Sequence, residues 1–395
     1  MCKQRFYVLG MTDDQECSFS SEVSEIIHQG KVFSGGKRHH EIVASLLPEN
    51  AVWIDITVPL DTVFSCYEAH TEIIVFASGD PLFFGFANTI RKRLPDAEVK
   101  VYPTFNSLQL LAHRMLLPYQ DMRTVSLTGR PWQQLDEALI RGELLIGVLT
   151  DRQKTPSKIA ERMLEYGYDN YHITIGVYLG NKQKEEVYTL TLKEVVSKEF
   201  GFPNCVILER IYPRERLFGI PESSFHLLNG REKMITKGGI RLQTLSYLDL
   251  HQRKTLWDIG FCTGSVSIEA KLQFPHLQIH AFECRQEGET LMKLNARKFG
   301  TPGIEIHIGD FMKLDLSHLP APDAVFIGGH GGMLKEMLSK IDKHILSGGC
   351  IVFNSVSENS LRLFREGVEK IGRSIENQMC ITLDSYNPIT IIKAI

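Results

Sequence analysis

Along this chain short apolar runs alternate with amphipathic segments almost from end to end. In the first part RFYVLG, AVWIDI, EIIVFAS, RTVSLTG and LLIGVLT have the length and the β-branched or aromatic content of buried strands. Between them NTIRKRL, FNSLQLLAHRML and PSKIAERMLEYG repeat apolar residues every three or four positions, the stripe of a helix that buries one side. Such alternation predicts an α/β construction, with parallel strands joined by crossover helices. The rhythm breaks between Pro203 and Gly230, where Pro203, Pro213 and Pro221 are expected to end regular structure. A domain boundary is therefore placed near Ile211. After it TLWDIG, LQIHAFE, IEIHIGD, DAVFIGG and GCIVFNS restart the pattern, each with a helical segment behind it. The tail holds two extended runs parted by Ser385-Tyr386-Asn387-Pro388, which predicts a terminal antiparallel hairpin.

A length of 395 residues exceeds one ordinary domain of roughly 100–200 residues, so two or three are expected. With 43% hydrophobic residues and a net charge of -3 there is material for sizeable cores and no global pull toward nucleic acid or acidic lipid. Any site for a charged partner must be local. The eight cysteines are scattered, with no C-x-x-C and no Cys/His set at zinc spacing, so they read as reduced thiols and no metal is expected. The opening MCKQRFYVLGMTDD is too poor in apolar residues for a secretory signal. No apolar run approaches the 18 or so residues that span a bilayer. The expectation is a cytoplasmic protein.

Strand TLWDI runs into Gly260-Phe261-Cys262-Thr263-Gly264 and then into the helix-like SVSIEAKLQF. Glycines there allow a tight turn and the approach of a ligand to the backbone at a helix N-terminus. A dinucleotide fingerprint G-x-G-x-x-G would need glycine at 262 and 265, where the chain has Cys262 and Ser265, and this weakens a hydride-transfer reading. Gly260 and Gly264, with Asp258 at the strand end, fit the looser D-x-G-x-G-x-G of methyltransferases that use S-adenosylmethionine. Twenty-five residues on, Glu283 ends the next strand and can accept both hydroxyls of a ribose. A similar interval leads to Gly309-Asp310, where the carboxylate can accept from an adenine amino group and Phe311 adjoins. Singly these are turns and helix caps; at successive strand ends they mark a nucleotide lying across an open sheet. Cys262 is expected to hold a negative φ and to meet the cofactor through its backbone N–H. No His or Lys adjoins it to activate the thiol.

From GIPESSFHLLNGREKMITKGGIR through DIGFCTGSVSIEA to PDAVFIGGHGGML, the second half resembles the decarboxylating corrinoid C15-methyltransferases, marked by Ile235–Lys237 and the glycine-rich Gly328–Gly332. In the first half FSGGKRH at 33–39, ASGDPLFFG at 77–85, YPTFNSLQLLA at 102–112 and LTDRQKTP at 149–156 resemble the C5-methylating members of the tetrapyrrole methylase family. The whole chain is thus similar to enzymes that fuse the two. The resemblance implies a two-lobed tetrapyrrole methylase fold over residues 1–210, with lobes at about 1–103 and 104–210, followed by a Rossmann-like seven-stranded methyltransferase domain over 211–395.

It also implies S-adenosylmethionine as cofactor and a corrinoid substrate, methylated at C5 and C15 with loss of carbon dioxide from the C12 acetate. Carried over by motif, the cofactor contacts are Gly10, Ser78, Gly79, Asp80, Phe83, Asn106, Ser107, Leu149 and Thr150 in the first half. In the second they are Thr236, Asp258, Gly260, Cys262, Gly264, Glu283, Asp310 and Phe311. Lys237 and His330 are the candidate catalytic residues. The substrate's acetates and propionates call for cations, and Lys37, Arg38 and His39, the densest basic run of the first half, are candidates together with Arg241. Arg38 is the strongest, because its planar fork can pair with a carboxylate bidentately.

Transfer of a methyl from a sulfonium to an electron-rich carbon needs alignment of donor and acceptor near 3–3.5 Å. It needs no metal and no protein nucleophile, and no G-x-S-x-G is present. The families named often assemble, so a homo-oligomer is expected. Three other readings remain: a fused methyltransferase acting on RNA, for which no basic and aromatic stripe is visible; a nicotinamide dehydrogenase; and a scaffold that keeps the folds without the chemistry.

Overall fold

A computed structural model describes residues 3–229, 234–383 and 387–395. Two compact units result: residues 1–130, 144–161 and 171–211 form one, and residues 131–143, 162–170 and 212–395 the other.

The first unit holds two five-stranded sheets. One is built from β1 (Arg5–Met11), β2 (Val32–Gly35), β3 (Val52–Asp55), β4 (Glu72–Ser78) and β5 (Glu98–Tyr102). These pair in the order β3-β2-β4-β1-β5, all parallel. Its central strands are near-continuous apolar runs, as burial of both faces requires. Five successive residues of β4, Ile73 to Ala77, are buried. The other sheet contains β6 (Arg123–Ser126), β7 (Leu145–Leu149), β8 (Tyr171–Val177), β9 (Glu186–Leu190) and β10 (Asn204–Arg210), in the order β6-β7-β10-β8-β9.

Here two expectations fail. Only β6 and β7 are parallel, and β10 runs antiparallel to both β7 and β8. An apolar run reports burial and not direction, so the alternation could not distinguish the two. Pro203 also does not end regular structure: it precedes β10, which lies at the centre of its sheet, and a proline immediately before a strand removes no ladder donor. The irregular stretch begins after Arg210 instead, and Gly230 lies outside the described residues.

The second unit is organised by β11 (Thr255–Ile259), β12 (Gln278–Glu283), β13 (Ile304–Ile308), β14 (Ala324–Ile327), β15 (Cys350–Ser355), β16 (Ile375–Ile381) and β17 (Ile389–Ala394). They form the expected seven-stranded sheet, ordered β13-β12-β11-β14-β15-β17-β16. The first five strands are parallel; β17 runs antiparallel between β15 and β16. The terminal pair is the expected antiparallel one, while residues 384–386 of its turn lie outside the described residues.

Alternate residues of β11 enter different cores. Leu256 packs with Ile279, Phe326 and Val352 beneath the helix Gly238–Leu248. Trp257 packs on the opposite face with Phe282, Val325 and Phe353 against the helices Leu334–Asp342 and Glu358–Lys370. Each such side chain contributes about 1.5–3 kcal/mol by leaving water. The result is a rigid sheet whose carboxyl ends share one rim. Among the described residues no helix is long and apolar enough to cross a membrane.

Candidate active sites

At that rim the loops after β11, β12, β13 and β14 enclose a cavity of about 910 Å³. Thr236, Lys237, Asp258, Gly260, Cys262, Glu283, Asp310, Phe311 and His330 all line it. Residues spread over almost a hundred positions converge because successive parallel strands point the same way. Gly264 and Arg241 are not among the lining residues.

The loop after β11 is shaped by close backbone contact. Gly260 has φ +78°, and a Cβ there would sit 2.6 Å from the Gly329 nitrogen, so the β11 and β14 loops touch main chain to main chain. Only glycine fits. Gly264, at φ +76°, starts the helix Ser265–Gln273, and a Cβ there would overlap the Met292 sulfur; its bare side faces the packed helices. Cys262 corrects an expectation, because its φ is +50° rather than negative. The left-handed conformation aims its N–H at Glu283 Oε2, 2.9 Å away, and its thiol at the Met234 carbonyl, 3.1 Å away.

Glu283 is buried at the end of β12. Burial alone would raise its carboxyl, but the Arg285 guanidinium and backbone N–H overcome this and hold it below the ordinary range. Arg285 donates to Oε1 at 2.9 Å and to Oε2 at 3.0 Å, a two-point clasp. Arg285 was not foreseen, although an arginine two residues beyond a strand-ending glutamate was a signal available in the sequence.

Asp258 differs. Wholly buried, it accepts from the Ser267 hydroxyl at 2.6 Å through Oδ2, while Oδ1 has no protein partner. Desolvation pushes its carboxyl up to about 7, against the lowering effect of Ser267. Asp310 is exposed and folds back to accept from the Met312 N–H at 3.0 Å. Phe311 is buried edge-on against Phe282 and Trp257. His330 accepts from the Gly332 N–H through Nδ1 at 3.1 Å, which leaves the proton of the neutral ring on Nε2; desolvation lowers its pKa.

Arg241 corrects a further expectation. It is fully buried, paired with Glu269 at 3.1 Å, and donates to the carbonyls of Thr236 and Ile220. A guanidinium committed in this way braces the segment before its helix and cannot reach a substrate carboxylate. Asn354, at the carboxyl end of β15, also lines the cavity and was overlooked, though a polar residue ending GCIVFNS marks the same rim.

In the first unit three of the carried-over residues, Gly10, Gly79 and Asn106, meet where the ends of β1 and β4 face the helix Ser107–Arg114. A Cβ on Gly10 would overlap the Gly79 carbonyl oxygen, and one on Gly79, at φ +62°, would lie 2.7 Å from the Asn106 Cα. Asn106 caps its helix, exchanging hydrogen bonds with Gln109 at 2.9 and 3.0 Å. Asp80 accepts from the Leu82 N–H at 2.8 Å, and Phe83 packs edge-on to Phe84. The Ser107 hydroxyl meets the Cys205 thiol. Leu149 is half-buried, and the Thr150 hydroxyl reaches the Asn204 carbonyl at 2.6 Å.

The basic run is partly committed. Arg38 pairs with Asp13 at 3.2 Å and donates to Ser78 Oγ at 3.1 Å. His39 accepts the Gly36 N–H at Nδ1 and so donates from Nε2 to the same Ser78 oxygen at 2.9 Å. Burial, then Arg38, pushes its pKa down to about 4, so at neutral pH His39 offers a hydrogen bond and no charge, contrary to its expected place among local cations. Lys37 is exposed. A separate hollow of about 800 Å³ beside the helix Phe86–Arg93 is lined by none of these residues.

Residues 229–389 match the family described as the precorrin methyltransferase domain, and residues 6–196 that of the tetrapyrrole (corrin/porphyrin) methylases. The chain is 29% identical over 371 residues to a precorrin-6Y C(5,15)-methyltransferase (decarboxylating) of Sinorhizobium sp, across 93% of this chain and 88% of that protein. It is 33% identical over 162 residues to the cobalt-precorrin-6B C(15)-methyltransferase (decarboxylating) of Salmonella typhimurium, across 41% of this chain and 83% of that protein. A solved precorrin-6Y C5,15-methyltransferase structure from Geobacter metallireducens GS-15 is 35% identical, with a TM-score of 0.42 over 45% of this chain and 96% of that one.

Proposed function

Since the chain belongs to the family of decarboxylating precorrin C5,15-methyltransferases, we propose that it methylates a precorrin at C5 and C15 and removes the C12 acetate carboxyl during cobalamin biosynthesis, with S-adenosylmethionine as methyl donor. Residues 1–210 carry the C5 reaction and residues 211–395 the C15 reaction with decarboxylation. Its place is the cytoplasm, its assembly a homo-oligomer.

The observation that carries this reading is the alignment of Asp258, Glu283 and Asp310 at the carboxyl ends of three adjacent parallel strands around one cavity. The donor set suits the cofactor: a buried Asp258 oxygen without a protein partner, a backbone cradle at Gly260 that a side chain would fill, and a charged Glu283. Glu283 would hold the ribose hydroxyls and Asp310 the adenine amino group, with Phe311 beside it. Bound there, S-adenosylmethionine supplies an electrophilic methyl group.

The chain's own share is positioning. Methyl transfer to a nucleophilic ring carbon requires no protein nucleophile, and the apolar lining of Ile235, Phe261 and Met333 excludes water from the sulfonium. Electrons left by departing carbon dioxide enter the conjugated macrocycle, which acts as its own sink. His330 holds its proton at Nε2 for the ring, and Lys237, at the start of its helix, pairs with a substrate carboxylate. In the first unit Gly10, Gly79 and Asn106 shape the donor cradle, Ser78 and Asp80 provide its polar rim, and Lys37 pairs with a substrate carboxylate.

The intact protein, given the reduced precorrin and labelled S-adenosylmethionine, should yield two methyl gains and one loss of carbon dioxide by mass spectrometry. Glu283→Ala should leave one methyl gain and an intact acetate. Absence of any methyl gain on the tetrapyrrole would sink the proposal.

A further inference from the structure

At one edge of the second unit's sheet, β13 and its neighbour β12 carry side chains capable of ligating a metal that methyl transfer leaves unused, and the inference drawn from them is independent of the proposed function. In the β12/β13 register His280 lies opposite Glu305 and Phe282 opposite His307, so all four project from one face of the sheet. His280 Nδ1 is 3.1 Å from His307 Nε2 and 3.4 Å from Glu305 Oε2. One ligand atom from each of the three residues falls within 4.8 Å of the other two. His280 is buried, His307 half-buried and Glu305 exposed, so the group opens toward solvent on one side.

We propose that His280, Glu305 and His307 bind a divalent transition ion of the zinc type. Zinc takes imidazole nitrogen at about 2.0–2.1 Å and carboxylate oxygen at about 2.0–2.2 Å. Tetrahedral angles then put neighbouring ligand atoms about 3.3–3.5 Å apart. The separations of 3.1 and 3.4 Å are already close to those edges. Two imidazoles and one carboxylate favour zinc, cobalt or nickel over magnesium and calcium, which prefer all-oxygen shells. Desolvation lowers the pKa of both imidazoles, toward the neutral form that coordinates.

The two rings also contact each other directly. Ring centres 5.4 Å apart, planes 19° apart and nitrogens at 3.1 Å mean that the rings meet edge to edge, sharing one N–H···N bond. An ion would replace that proton, with a small rotation of the half-exposed His307 turning both lone pairs on a common point. Its structural effect follows from topology. Among the described residues β13 is an edge strand held to the sheet by β12 alone, and two residues after His307 it enters Gly309-Asp310-Phe311 of the cavity. Zinc across β12 and β13 would staple the base of that loop. Sequence spacing could not reveal the site, since the ligands come from separate strands.

The test uses the intact chain stripped with a chelator and titrated with zinc chloride alone at neutral pH. Calorimetry should give one equivalent bound at micromolar strength or tighter, and the melting temperature should rise by about 5 °C at excess zinc. Cobalt(II) in place of zinc should give a visible ligand-field spectrum without a thiolate charge-transfer band, since no cysteine is a ligand. Glu305→Gln and His307→Gln, both outside the core, should each weaken binding by about tenfold to a hundredfold. His280→Ala is avoided as the sole variant because it would also open a cavity. Uptake below one equivalent, affinity only at millimolar zinc, a thiolate band, or binding unchanged in both variants would each overturn the site and leave a hydrogen-bonded histidine pair.

Discussion

The two units frame ligand space by opposite means. Around Gly10, Gly79 and Asn106 the first unit brings backbones into contact, and its polar side chains, Asp13, Arg38, His39 and Ser78, are largely committed to one another. The second uses one sheet, whose strand ends deliver carboxylates to a common rim, and there Asp258 keeps a buried oxygen unpaired. A cradle of main chain is intolerant of added volume but indifferent to charge. The second unit shares that steric limit at Gly260 and adds a rim of carboxylates that is sensitive to charge, so the two should differ most in their response to charge and pH.

The largest effect is steric. Gly10→Val should abolish C5 methylation while C15 methylation persists, and Gly260→Val should do the reverse, because each adds a branched side chain where even a Cβ has no room. Mass analysis of the tetrapyrrole after incubation with each variant checks this. If both variants lost both reactions alike, the separation of the two cradles would be wrong.

Next in size is charge. Glu283→Gln should weaken binding of the methyl donor to the second unit by about tenfold to a hundredfold, the worth of a hydrogen bond to a charged group. Asp80→Asn should change binding to the first unit less, since Asp80 already satisfies a turn. Calorimetric titration of the intact protein with donor, resolved into two sites, measures both.

Smaller, but opposite in sign between the units, is the response to pH. The Asp258 carboxyl is raised to about 7, so its protonated form favours the fold; that stability is complete below about pH 4 and is lost as pH rises through 7. The slope is at most about 1.4 kcal/mol per pH unit. His39 is lowered to about 4, so its neutral form favours the fold; that stability is present above about pH 6.5 and is lost as pH falls toward 4. Chemical denaturation followed across this range should show the slope disappear in Asp258→Asn for the second unit and in His39→Gln for the first. Least of all, Lys37→Ala should change stability by under about 0.5 kcal/mol, as exposed side chains do. It should show instead as a modest rise in KM for the corrinoid at unchanged kcat.

What the sequence disclosed follows from which forces are local. The β-strands around TLWDI, LQIHAFE and DAVFIGG were legible because strands buried on both faces must be apolar throughout, and the rim residues because they lie where those runs stop. β10 was obscured by Pro203, whose position one residue before the strand and not inside it decides its effect. Strand direction in β8, β9 and β10 is set by connections and leaves no mark on periodicity. Arg241 looked like a free cation because its partner Glu269 sits on another helix, and the left-handed turn at Cys262 is imposed by Glu283 from a neighbouring strand. Cross-strand partners, such as His280 with Glu305, are the category that reading along a chain cannot recover.

The placement of β17 between β15 and β16 has a consequence for assembly in time. β16 emerges during synthesis before β17, the one strand that borders it among the described residues, so its hydrogen-bonding edge has no partner in the sheet until residues 389–394 are made. A chain lacking those residues would leave the edges of β15 and β16 unpaired and open to pairing with neighbours. β17 is thus the strand that joins the parallel part of the sheet to its last member.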